Sequence, residues 1–204
     1  QYLYDSAKIY YYKAINVDPL YANAYNGLGN IFMANKQYDS AAIYFNKTII
    51  ASPKFTNGYY NLGFLCLTQN QNDSAKKYFY KSINIDPRFI NGYNGLGNTF
   101  LNEKQYDSAR IYFNKAISLD GAFTFGYLGI GNVFYQQKLY DSAMLYYRAV
   151  VKLDSLNVNS NTRLSACAFL KNDIDSSAYL LKQIFKKKIA GQAVFKVGEF
   201  IANN

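Results

Sequence analysis

Between Ala22 and Phe55 the apolar positions fall into two helical spacings with a polar break between them. Tyr25, Leu28, Gly29 and Phe32 share one face of a helix, because a helical turn brings positions three and four apart onto the same side. Tyr38, Ala41, Phe45 and Thr48 do the same for a second helix, and the polar stretch "NKQYD" joins the two. Ser52-Pro53 ends the second helix, since proline has no amide hydrogen and its ring clashes with the preceding turn. Asp39 stands at the entry to the second helix, where its carboxylate can accept from the free amides of the first turn, and it predicts an N-cap. The pattern predicts helix, turn, helix, stop.

The same pattern then recurs. "KQYDSA" occurs at Lys36 to Ala41 and again at Lys104 to Ala109. Asp-Ser-Ala begins at Asp5, Asp39, Asp73, Asp107 and Asp141, and Asp-Ser-Ser begins at Asp175, each 34 positions after the last. Tyr25, Tyr59, Tyr93 and Tyr127 align, as do Gly29, Gly63, Gly97 and Gly131. Ala7, Ala41, Ala75, Ala109 and Ala143 form another series, and Tyr11, Phe45, Phe79, Phe113 and Tyr147 an aromatic one. Small residues at fixed places let paired helices approach closely while large ones fill the space between units. Full units span 22–55, 56–89, 90–123 and 124–157. The second half of another unit precedes them at 1–21, a degenerate unit follows at 158–191, and 192–204 supplies a capping helix near Gln192 to Ala202. The expectation is a single all-α array over 1–204, with twelve helices in antiparallel pairs and no strands.

"YNGLGNIF" followed by "YDSAAIYFNKTIIASP" resembles the tetratricopeptide repeat family, which pairs an aromatic, Leu-Gly and Tyr in its first helix with Ala, Phe, Ala and Pro in its second. The resemblance covers essentially the whole chain. Tyr stands for the family's usual Trp, Ser155 replaces the expected Pro, and Asn161 and Ser165 occupy the aromatic and Gly places of the fifth unit. Such drift suits a cap that faces solvent. The resemblance implies a right-handed superhelical solenoid, a groove lined by the first helix of each unit, and a non-catalytic protein- or peptide-binding scaffold.

Composition narrows the function classes. Half of the residues are hydrophobic, which supports a continuous core, yet no apolar run approaches the length of a membrane span. No signal peptide is visible; the chain opens without Met inside a repeat and is expected to be a piece of a longer protein. Cys66 and Cys167 lie three periods apart, too far to bridge in a stack, so both are expected to be free, buried thiols. There is no histidine. The carboxylates fall mostly into two repeat series, the helix-entry aspartates and Asp18, Asp86, Asp120 and Asp154 at the inter-repeat turn. Only Glu103, Asp173 and Glu199 lie outside them. No constellation for catalysis, a metal or a cofactor emerges. "NGLGN" at Asn26 to Asn30 and Asn94 to Asn98 lies within a helix, with no preceding strand and no Gly-Lys-Ser/Thr, so it is not a phosphate loop. Gly27 and Gly95 are expected to open room in the groove.

Two surfaces remain. The net charge is +9, and Lys13, Lys47, Lys81 and Lys115 recur at one position of the second helix, with Arg148 one place out of register. A solvated outer face explains this ridge first, because it lacks interleaved aromatics for stacking bases. Nucleic acid or an anionic surface is its second reading, and self-association through the array ends is a further alternative. The groove carries the stronger signal. Asn23, Asn26, Asn30, Met33 and Ala34 share one face in the first full unit, and Asn57, Tyr60, Phe64, Leu67 and Thr68 in the second. The third gives Asn91, Asn94, Asn98, Leu101 and Asn102, and the fourth Phe125, Leu128, Asn132, Tyr135 and Gln136. None is charged. An Asn amide offers a donor and an acceptor that match a peptide unit, so a row of them can hold an extended backbone. Phe64, Leu67, Leu101, Leu128 and Tyr135 would add apolar pockets. Asn30, Asn94 and Asn98 are expected to face solvent in the free protein.

Overall fold

A computed structural model describes residues 2–154 and 157–186. The chain divides into two compact units, Gln1–Lys104 and Gln105–Asn204. The first holds α1 (Tyr2–Val17), α2 (Ala22–Ala34), α3 (Tyr38–Ala51), α4 (Thr56–Thr68), α5 (Asn72–Ile85) and α6 (Ile90–Asn102). The second holds α7 (Tyr106–Leu119), α8 (Thr124–Gln136), α9 (Tyr140–Leu153), α10 (Val158–Leu170) and α11 (Ile174–Lys186). No strand occurs among the described residues. Within the first unit α2 pairs with α3 and α4 with α5, while α1 meets α2, α3 meets α4 and α5 meets α6. Within the second, α8 pairs with α9 and α10 with α11, and α7 and α9 pack on the helices that follow them. The expected helix near Gln192 to Ala202 lies outside the described residues.

Local chemistry explains each turn. Lys36, Asn70, Lys104, Lys138 and Asn172 take positive φ between 58° and 61°, one at each hinge between first and second helix. Around Lys36 its own amide donates to Met33 and that of Gln37 to Phe32 O, which satisfies carbonyls the helix end would leave free. The turn between repeats is closed differently. Asp18, Asp86 and Asp120 each accept from the amide two residues on, and the Tyr25, Tyr93 and Tyr127 hydroxyls donate to the carbonyls of Pro19, Pro87 and Gly121. The tyrosine series and the second aspartate series therefore serve the same turn.

The helix-entry aspartates lie two positions past the cap that they were expected to fill. The residue capping α3 is Gln37, which makes no side-chain bond to the helix, and Asp39 lies inside the first turn. The fixed hinge starts the helix one residue before the aspartate. From there a carboxylate still meets the positive end of the helix dipole. Asp73 and Asp107 also pair with Lys76 at 3.0 Å and Arg110 at 2.6 Å, and Asp141 pairs with Lys171.

The core is built on glycine against aromatic rings. Phe79 of α5 is fully buried between Gly63 of α4 and Gly95 of α6. A Cβ at Gly63 would lie 2.7 Å from its ring, and one at Gly95 2.6 Å away. Gly27 and Gly129 close in the same way on Tyr11 and Phe113. The first glycine of "NGLGN" thus lets consecutive repeats touch; it does not open the groove. The last repeat departs from its expected solvent-facing drift, since Asn161 and Ser165 are buried. Ser165 takes the glycine place and Ser177 the alanine place, and their hydroxyls hydrogen-bond at 3.0 Å. A polar pair replaces a small-residue contact.

Candidate functional site

In the first unit α4 touches both α2 and α6, so the first helices form one continuous face. Its two outer helices share the sequence "NGLGN" and its middle helix carries rings. On α2, Asn23 and Asn30 are exposed and Asn26 is half-buried. On α4, Asn57 and Phe64 are exposed, Tyr60 and Leu67 are half-buried, and the rings of Tyr60 and Phe64 stack at 6.4 Å. Tyr60 also meets Phe79 at 5.8 Å and Phe89 at 5.7 Å, which fixes its orientation, and burial raises its pKa. On α6, Asn91 and Asn102 are exposed while Asn94 and Asn98 are half-buried.

The amides on this face differ in how they are satisfied. Asn61 Nδ2 donates to Asn26 Oδ1 at 2.8 Å and to Asn30 Oδ1 at 3.2 Å, linking α4 to α2. Asn98 Nδ2 donates to the Asn94 carbonyl at 3.0 Å. Asn94 Oδ1 is shielded from solvent and has no hydrogen-bond partner. An unpaired acceptor of this kind is costly. Asn30 faces solvent as expected, whereas Asn94 and Asn98 do so only in part, and the Asn98 amide is taken up by the preceding turn of α6. Leu101 is a correction: at 5 % exposure it belongs to the core. The last turn of α6 rotates it inward, where a leucine is better placed than in water.

Asn61 was not legible as a site residue, yet a signal existed. Its register position holds glycine in the other three full units, as Gly27, Gly95 and Gly129. One asparagine among glycines, beside a predicted asparagine face, marks the place where a side chain can reach across.

In the second unit α8 carries Leu128, Asn132 and Tyr135, all half-buried. Leu128 and Tyr135 pack on the buried cluster of Ala143, Met144, Tyr147, Leu164 and Cys167. Asn132 Oδ1 accepts from the Tyr147 hydroxyl at 2.9 Å. At Tyr147, where the three preceding members of the aromatic series are Phe, an asparagine satisfies the additional hydroxyl. Phe125 is exposed at the start of the same helix.

The lysine ridge differs from its expected character. Lys13 lies over the Tyr10 ring at 5.7 Å, Lys47 over Tyr44 at 5.3 Å and Tyr25 at 5.9 Å, and Lys81 over Tyr59 at 5.9 Å. The ridge is interleaved with aromatics after all. Tyr25 and Tyr59 belong to the aligned tyrosine series, whereas Tyr10 and Tyr44 stand outside the series that the repeat pattern singles out. Lys115 and Arg148 are exposed in the second unit.

Cys66 and Cys167 are both buried and unpaired, and burial pushes their thiols up, that of Cys167 to about 12. Neither has the depressed pKa of a nucleophile. Among the described residues no cluster of three His, Cys, Asp or Glu side chains could hold a metal ion. No helix among them is long and apolar enough to cross a membrane.

Family models described as tetratricopeptide repeat match residues 56–89, 90–123 and 126–155, and another of the same description matches 3–54. No curated protein sequence matches the chain. Solved structures do. Pseudomonas aeruginosa PilF is 21% identical with a TM-score of 0.74, over 98% of this chain and 90% of that one. A chain of the APC/C hetero-tetramer Cut9–Hcn1 is 17% identical with a TM-score of 0.80, over 95% of this chain and 39% of that one. YrrB, which has an unusual peptide-binding site, is 16% identical with a TM-score of 0.58, over 93% of this chain and 97% of that one. At these identities the likeness concerns the fold.

Proposed function

Since the chain belongs to the tetratricopeptide repeat family, a protein-interaction repeat that is generally non-catalytic, we propose that its α2–α4–α6 face binds an extended, uncharged peptide segment of a protein partner. The observation that carries this reading is the set of exposed amides, Asn23, Asn30, Asn57, Asn91 and Asn102, on the uncharged face that α2, α4 and α6 form together. Each offers a donor and an acceptor that match the C=O and N–H of a peptide unit. Tyr60, Phe64 and Leu67 stand between the asparagine helices and would select apolar side chains. In the second unit Leu128, Asn132 and Tyr135 present their exposed portions for the same kind of contact. YrrB is a precedent for peptide binding on this fold.

The test is a selection from a random peptide display library, followed by titration of the selected peptide. Replacing Asn30, Asn94 and Asn98 together with Ala removes hydrogen bonds worth about 0.5 to 1.5 kcal/mol each. Affinity is expected to fall by about tenfold or more, with the thermal melt unchanged. Equal binding by the triple variant contradicts the proposal, as does a peptide that needs a free, acidic C-terminus.

A further inference from the structure

The second-helix side of the first unit carries an open hollow of about 530 Å3, lined by Tyr59, Lys77, Tyr78, Tyr80, Lys81 and Asn84. Its volume falls in the range of small ligand sites. The register shows why it forms in this repeat. In the repeat before, the places of Lys77, Tyr80 and Asn84 hold Ile43, Asn46 and Ile50. There Phe32 stacks on Tyr44 at 5.1 Å. The counterpart of Phe32 here is Cys66, so a small thiol stands where the earlier repeat has a ring. Tyr59 of α4 and Tyr78 and Tyr80 of α5 line the space that remains.

The electrostatics name the occupant. Lys77 and Lys81 are exposed, neither forms an ion pair among the described residues, and no carboxylate lines the hollow. The whole chain carries +9. Ring walls take an apolar side chain, and two unpaired ammonium groups at the rim take carboxylates. The amide of Asn84 can serve the backbone between them. A nucleic-acid strand fits less well. Lys81 already lies over the Tyr59 ring at 5.9 Å and covers a face that a base would need. Tyr59, Tyr78 and Lys81 have counterparts in other repeats, but Lys77, Tyr80 and Asn84 together complete the hollow in this one alone, which suits one inserted side chain better than a running strand.

We propose that this hollow docks an acidic segment of a partner protein. One aromatic or apolar side chain enters between Tyr59, Tyr78 and Tyr80, and flanking carboxylates pair with Lys77 and Lys81. The site is separate from the asparagine face and obeys opposite rules: it needs charge and weakens with salt.

The experiment uses the full chain and a labelled, acetylated and amidated peptide, Glu-Glu-Phe-Glu-Glu. Binding is expected to fall about tenfold or more in Lys77→Glu/Lys81→Glu, since two attractions become repulsions. It falls several-fold when the probe's Phe is replaced with Ala. Raising salt from about 50 to about 300 mM weakens it as well. Lys36→Glu/Lys54→Glu, which changes the net charge equally at exposed positions elsewhere, retains binding, as does Asn30→Ala/Asn98→Ala. Circular dichroism melts confirm that each variant folds. Undiminished binding by the Lys77/Lys81 variant overturns the proposal. So does equal affinity for the Ala probe, or an oligothymidylate that binds more tightly than the peptide and displaces it.

Discussion

The two faces of the first unit draw on different helices and work in opposite ways. On α2, α4 and α6 the side chains are amides and rings, and the amides are partly spent on each other, as when Asn61 reaches Asn26 and Asn30. On α5, across the unit, the Lys81 ammonium lies over the Tyr59 ring and no carboxylate lines the hollow that Lys77 and Lys81 border. The first face can recognise a backbone through short, neutral, directional bonds that salt leaves alone. The second attracts at longer range and loses that advantage as ions screen it. A repeat leaves both surfaces free to vary because its own needs are met elsewhere, by the glycine–ring contacts and the closed turns.

The most severe way to break the comparison is to remove what both faces share. Phe79 is fully buried, touches the glycine faces of α4 and α6, and supports Tyr60. Phe79→Ala is expected to cost about 3 to 5 kcal/mol. Chemical denaturation should show the loss, and binding at both faces should fail together. If the variant keeps either binding activity at full strength, that face does not depend on the α4–α5–α6 packing.

Much of this scaffold was legible beforehand. A period held from Asp5 to Asp175 can satisfy only one kind of architecture, and the glycine, alanine and aromatic series named the contacts. What the sequence hid were effects of a single residue's rotation or reach. Leu101 sits one turn beyond the asparagines and rolls into the core, although it shares their helical spacing. Asp39 misses the cap because the hinge at Lys36 fixes where α3 begins. Asn61 reaches a neighbouring helix, which a pattern within one helix does not reveal. Tyr25 and Tyr59 serve the repeat and the surface at once, and Tyr10 and Tyr44 fall outside the aligned series, so the repeat pattern concealed the ridge's character.

The smallest expected effect sharpens the comparison by sparing both faces. Lys36 holds φ at 58°, a conformation that glycine adopts more readily than a side-chain-bearing residue. Lys36→Gly is expected to raise stability by about 0.5 to 1 kcal/mol, the relieved left-handed strain less the added entropy of glycine, read as a higher denaturation midpoint. Binding of the display-selected peptide and of the acidic probe should remain unchanged. A loss of stability would mean that the lysine side chain contributes more than the hinge costs.

The most direct measurement follows the side-chain amide signals of the asparagines by NMR while the display-selected peptide is added at about 50 and about 300 mM salt. The account predicts that the Nδ2 hydrogens of Asn30, Asn94 and Asn98 shift on binding, by similar amounts at both salt concentrations, while signals from Tyr78, Tyr80 and Lys81 stay in place. Shifts that gather at Tyr78 to Lys81 and vanish at the higher salt would contradict it.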